Sequence, residues 1–231
     1  MEKELHTNKI ASPPPPKVPA DEFRALEDAL KPDVRQTSFA IHDPETGEWK
    51  KKELRHIHWS VNRYALSEHV PQDIRVQWDT ARNIWLYAWF VYRFYPVAES
   101  QAYVVLELAL RQKLGHVDGR SPGLARLIAE AIRKKILFDE GIEQYRQIQE
   151  QQAEHTRQWE NLRTQIPECN LPQPQSVAHD PQSQRYCEML GKSFPILRNS
   201  CAHGSTHLDP ASVGLTFGIC RDLINQLSDH K

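Results

Sequence analysis

Between Leu197 and Leu208 the sequence LRNSCAHGSTHL gathers Arg198, Asn199, Cys201, His203 and His207 into a dozen positions. Arg198 supplies a permanent cation and His203 an imidazole that titrates near neutrality. The two stand five residues apart, about 140° around an ideal helix, so one unbroken helix aims them at different points. Gly204 reads as a helix stop directly after His203, and Asp209 with Pro210 as the N-cap and first position of the next helix. His203 then falls on a helix-to-helix corner with Arg198 one turn below it, which can set a cation and an imidazole on either side of one anion. Phosphodiester cleavage in RNA needs those groups: a base for the 2′-hydroxyl proton, an acid for the departing 5′-oxygen and a cation for the phosphorane. With the 2′-hydroxyl as nucleophile no metal is required. The chain shows no carboxylate cluster of the kind that holds magnesium, so neither metal nor cofactor is expected.

Each of these residues also has a purely structural account. Arg198 and Asn199 can cap a helix end and pair with a carboxylate, and His203 can satisfy terminal carbonyls and the helix dipole. Glu107 interrupts the apolar run YVVLELAL, which is costly unless the carboxylate is paired. Arg111, one turn on, and Arg198 are its two candidate partners. Cys201 faces away from His203 by helical angle, and no acid stands nearby to orient a Cys–His pair, so packing is its expected role. His207 is read as a loop residue supporting the site. His56-Ile57-His58-Trp59 suggests a metal site, but no further ligand stands at the right spacing. Lys50, Lys51, Lys52 and Arg55 read as a solvated face, with RNA contact the lesser reading.

The elements that must position this segment follow from pattern. The chain has 231 residues with 39% apolar content, low for a globular protein, which implies polar appendages around an ordinary core. A net charge of −1 argues against a protein that coats nucleic acid non-specifically, while leaving room for a local basic cleft. The four cysteines form no C-x-x-C pair and no leader-like segment opens the chain, so a reducing cytoplasm is the expected compartment. The longest apolar stretch is too short and too charged to cross a membrane.

Residues 1–20, with four consecutive prolines, read as a disordered tail. Residues 21–70 read as an extension holding a short helix over Asp21–Lys31, then a β-hairpin or irregular flap around Asp43–Gly47 whose two arms look extended. The core begins after Pro71. Ile74, Trp78, Ala81, Trp85, Ala88, Trp89 and Tyr92 mark one amphipathic helix, with the tryptophans in the core or at a dimer interface. Tyr95-Pro96 should break it, with a second helix over 97–114 ending at Gly115. A third should start with Ser121 as N-cap and Pro122 at its first position. Residues 139–165 form a charged, glutamine-rich helix within an insertion at about 139–184, whose last part, 167–184, reads as a loop. Helical pattern resumes with a break at Gly191 and a restart near Pro195, and a final helix runs from Pro210 through Leu227. The expected fold is all-α: a four-helix bundle over 71–231 with a polar helical insertion.

The stretch Pro195 to Gly204, read as Pro-x-Leu-Arg-Asn-x-x-Ala-His-Gly, resembles the signature of the HEPN superfamily (higher eukaryotes and prokaryotes nucleotide-binding domains), an Arg, four residues and a His, with a polar residue after the Arg. The resemblance extends back through ARNIWLYAWFVYRF and the acidic residue of LELALR, and forward through LDPASVGLTFGICRDLINQL. It covers roughly Pro71 to Ser228 and leaves the first seventy residues and the glutamine-rich insertion unexplained. It implies a four-helix bundle that dimerises with two motifs facing one cleft. It also implies a metal-independent endoribonuclease leaving 2′,3′-cyclic phosphate ends, of a kind found in toxin–antitoxin, abortive-infection and related defence systems, with an antitoxin or regulatory protein as a partner. By position Arg198 and His203 would be catalytic and Asn199 the supporting polar residue. Two other readings stand beside it: a non-catalytic module of the same fold that binds RNA, nucleotide or a protein, and a structural protein that assembles through its glutamine-rich helix.

Overall fold

The computed structural model describes residues 21–43, 46–116, 122–165, 185–202 and 209–229. The expected tail at 1–20, the expected loop at 167–184, and both His203 and His207 lie outside them. The described residues are predominantly helical: α1 (Leu54–Asn62), α2 (Gln72–Tyr87), α3 (Phe94–Leu114), α4 (Leu124–Arg133), α5 (Glu143–Gln165), α6 (Arg185–Ala202) and α7 (Pro210–Asp229). The strands described are β1 (Ala40–His42) and β2 (Trp49–Lys51), paired antiparallel with Ala40 opposite Lys51. The fold is all-α, with the small hairpin where the Asp43–Gly47 turn signal placed it.

α3 is the axis of the molecule. Small and large apolar residues alternate around most of its circumference, so it has α2, α4, α6 and α7 against its sides. Ala98 and Ala102 let neighbouring helices approach, while Tyr103, Leu106 and Leu110 fill the space between them, all fully buried. α2 lays Ile74, Trp78, Ala81 and Trp85 against this core. Phe217 of α7 sits between the rings of Trp78 and Trp85, with centroids 5.0 and 4.7 Å away. The helix-two tryptophans are thus core residues. A helix apolar on nearly every side can be stable only as a central element.

Several boundaries differ from the sequence reading, each for a local reason. α3 begins at Phe94, because Pro96 lies in the first turn, where its missing N–H has no partner to lose. Gly115 does end it, in the left-handed conformation with φ 77°. The cap of α4 is Gly123, with Pro122 before the helix, and Ser121 lies outside the described residues. α6 runs unbroken through Gly191 and Pro195. Gly191 marks a close approach: a Cβ there would stand 3.2 Å from Ile128 Cγ2 of α4. The second arm of the flap is not extended beyond Lys51; Glu53 starts α1 with a reciprocal cap, its own amide donating to His56 Nδ1 at 2.9 Å. Residues 21–31 hold no α-helix; a 3-10 turn lies at Leu26–Asp28.

The extension is pinned to the bundle by buried polar groups. Asp33, fully buried, accepts hydrogen bonds from Arg35 Nε (2.9 Å) and Nη2 (2.8 Å) and from the Tyr92 amide (3.3 Å). Burial alone would raise its pKa, but these donors prevail and hold it below the usual range. A second polar node joins both ends of the glutamine-rich excursion. Buried Asp139 accepts from the amides of Tyr186 (3.0 Å) and Cys187 (2.8 Å), capping α6, and Asp222 accepts from the Glu143 amide (2.8 Å), capping α5. Beyond Glu150, α5 is exposed along nearly its whole length, as expected for a polar helix with sparse apolar positions.

Candidate functional site

α6 and α3 run in opposite senses: Arg198 lies beside Glu107, and Cys201, one turn later, beside Glu99. Glu107 is 8% exposed because it stands within the buried face of α3. Its two oxygens divide their work. Oε1 accepts from Arg111 Nη2, one turn along the same helix, and Oε2 faces Arg198 Nη2 at 3.5 Å. Both partners that the sequence offered for Glu107 are therefore present. The carboxylate is shielded while each guanidinium keeps 40% of its side-chain surface open to solvent. An exposed cation held by a buried anion is oriented without being consumed. Arg has donors to spare for an incoming anion.

Asn199 follows Arg198, and its Oδ1 accepts from Arg198 Nη1 at 3.4 Å. α6 ends at Ala202, and Asp209 caps α7 by accepting from the Ala211 amide at 2.9 Å. The corner expected between them falls on residues outside the described ones; the capped start of α7 is present, and Arg198 lies four residues before the last described residue of α6. His203 and His207 belong to residues 203–208 and are not placed. Cys201 is half-buried, as packing requires, and burial and Glu99 push its thiol up to about 11, which leaves it a poor nucleophile. His56 serves the α1 cap, and no group of three His, Cys, Asp or Glu among the described residues is arranged to hold a metal.

The sequence reading missed the carboxyl two turns before Glu107. Glu99 is 8% exposed, accepts from Thr216 Oγ1 at 2.5 Å, and lies 3.9 Å from Cys201 Sγ. Tyr103 Oη stands 3.3 Å from the same Thr216 oxygen. Burial, reinforced by the negative charge of Asp209, raises the Glu99 pKa against the lowering effect of its hydrogen bonds. The available signal was the four-residue spacing of Glu99, Tyr103 and Glu107, which puts all three near one side of a helix.

Beside the charge cluster, α3 exposes an apolar stripe. Val97 is 49% exposed and Val104 42%, seven residues apart and on the same side of the helix. No helix among the described residues is long and apolar enough to cross a membrane. Comparison with family models, curated proteins and solved structures finds no match to the chain.

Proposed function

We propose that this protein is a metal-independent endoribonuclease of HEPN type that works as a homodimer. The observation that carries the reading is Arg198, a solvent-facing guanidinium near the end of α6 that is oriented by the buried Glu107 carboxylate. A structural bundle has no need to bury an acid in order to hold an open cation. In the proposed reaction Arg198 binds the scissile phosphate, Asn199 supports it, and His203 moves the proton. The 2′-hydroxyl attacks phosphorus, the bond to the 5′-oxygen breaks, and a 2′,3′-cyclic phosphate and a free 5′-hydroxyl remain. General acid and general base are best placed on opposite faces of the phosphate, and two-fold symmetry supplies the second imidazole without new sequence. The exposed Val97–Val104 stripe beside the cluster offers a face for the second copy.

The resemblance to HEPN domains supports a role in a toxin–antitoxin, abortive-infection or related defence system, with an antitoxin or regulatory protein restraining it, and the cysteine pattern supports a cytoplasmic setting. The alternative, a non-catalytic module binding RNA, nucleotide or a protein, draws on the same Arg198–Glu107 contact, since a paired arginine can hold a phosphate without cleaving it. Incubation of the purified protein with single-stranded RNA in EDTA decides between them. The nuclease reading expects cyclic phosphate ends and a loss of about 10² to 10⁴-fold in His203→Ala. Cleavage unchanged in that variant refutes it.

A further inference from the structure

Glu99 is a buried carboxyl with no cation beside it among the described residues. Its contacts tie three helices together: Thr216 on α7 at 2.5 Å, Cys201 on α6 at 3.9 Å, and Tyr103 of α3 through the Thr216 hydroxyl at 3.3 Å. Among the described residues the other titratable groups near it are Asp209 at the head of α7 and the buried Cys220, and neither supplies a positive charge.

The two protonation states differ in what they ask of this cluster. An ionised Glu99 can take the one Thr216 proton, but its second oxygen is left with a distant thiol, a weak donor, and a like charge sits at Asp209. A neutral Glu99 removes the buried charge and can donate to Thr216, which passes its own proton on to Tyr103. Both contacts fall at the last turn of α6 and the second turn of α7, the two helix ends that bracket residues 203–208.

We propose that Glu99 is a positioning residue that acts when protonated: neutral, it clamps the last described turn of α6 to the head of α7 and so fixes Arg198 relative to α7. Ionised, it loosens that junction. Its effect on cleavage rests on the nuclease reading above; its effect on the helix junction does not.

The test compares the wild-type chain with Glu99→Gln, which keeps the shape but cannot ionise, and with Glu99→Ala. The proton-linked sign is fixed by the raised pKa: stabilisation from the neutral carboxyl is fully present below its ordinary value of 4.5 and is lost as pH rises through the folded-state pKa. The Gln variant should therefore match the wild type in melting temperature below about pH 4.5, pull ahead as pH rises toward the folded-state pKa, and keep a constant lead above it. The ratio of cleavage rates, Gln variant over wild type, should stay flat below that folded-state pKa and rise above it, by up to about tenfold per pH unit as the neutral form is depleted. Glu99→Ala should cleave more slowly at every pH. A melting difference that does not vary with pH overturns the proposal. So does a varying melting difference with a flat cleavage ratio, which leaves Glu99 merely structural.

If the wild type cuts no RNA, the nuclease reading fails by itself, and amide hydrogen exchange over residues 198–202 decides the clamp. Exchange there should quicken with pH beyond its intrinsic rate in the wild type and not in Glu99→Gln. The same exchange pattern in both proteins overturns it.

Discussion

Glu107→Gln keeps the side-chain shape and removes the carboxylate that faces both Arg111 and Arg198. Breaking a fully buried ion pair costs about 3 to 5 kcal/mol, and an exposed one at most about 1. Glu107 has an 11% exposed side chain, but both arginines are 40% exposed and can turn into water. The loss should lie toward the exposed end, about 1 to 2 kcal/mol. For a chain of this length that is a fall of about 3 to 6 °C in melting temperature. Part of it is repulsion between the two arginines, so the deficit should shrink in about 1 M salt, where the screening length is about 3 Å. Calorimetry at low and high salt measures both quantities. Arg198→Lys, on the same protein, should lose less stability because it keeps the charge. It should nonetheless lose cleavage by at least about tenfold, since an ammonium cannot reproduce a planar two-pronged grip on phosphate. A Glu107→Gln protein with unchanged melting and unchanged cleavage refutes the idea that Glu107 holds Arg198. A fully active Arg198→Lys protein with a lowered melting temperature leaves Arg198 structural and deprives the nuclease reading of its cation.

Sedimentation should find the wild type dimeric and Val104→Glu monomeric with its helical content intact; a wild-type monomer at working concentration counts against the shared cleft. Asp33 has a lowered pKa, so its stabilisation is present above the ordinary value of 3.8 and lost as pH falls through the folded-state value. Asp33→Asn should therefore differ most from the wild type at neutral pH and converge with it in acid, and equal melting temperatures at neutral pH would contradict the pinned extension. Asp139→Ala strips the cap from two α6 amides and should cost about 1 to 3 kcal/mol, read as a drop in melting temperature.

The parts of this structure legible in the sequence are those with local causes. Trp78, Ala81 and Trp85 repeat with the helix, Gly115 permits the left-handed cap, and Asp209-Pro210 starts a helix by itself. Glu107 could be suspected because an acid in an apolar run needs a partner. The errors come from residues whose meaning is tertiary. Gly191 looked like a helix break, but its missing side chain is filled by Ile128 of α4. Leu54–Asn62 looked extended beside the turn signal, yet Ile57 and Val61 bury one helical face. Glu99 has polar neighbours in sequence, Ser100 and Gln101, so no apolar run singles it out as Glu107 is singled out. Its burial depends on Thr216, more than a hundred residues later.

The polar node at Asp139 gives the chain a place where it can change without unfolding. The Tyr145 ring, near the base of α5, lies 5.6 Å from the Tyr186 ring at the start of α6, and Asp139 fixes that start from outside the intervening segment. The chain leaves the bundle and comes back at nearly one point. The bundle's closure is thus insensitive to the length of chain between: doubling or halving a flexible connection alters the closing entropy by only about 0.6 kcal/mol. The exposed part of α5 is thus free to lengthen, shorten or acquire a binding sequence while the helices that carry Arg198 and Glu107 keep their places.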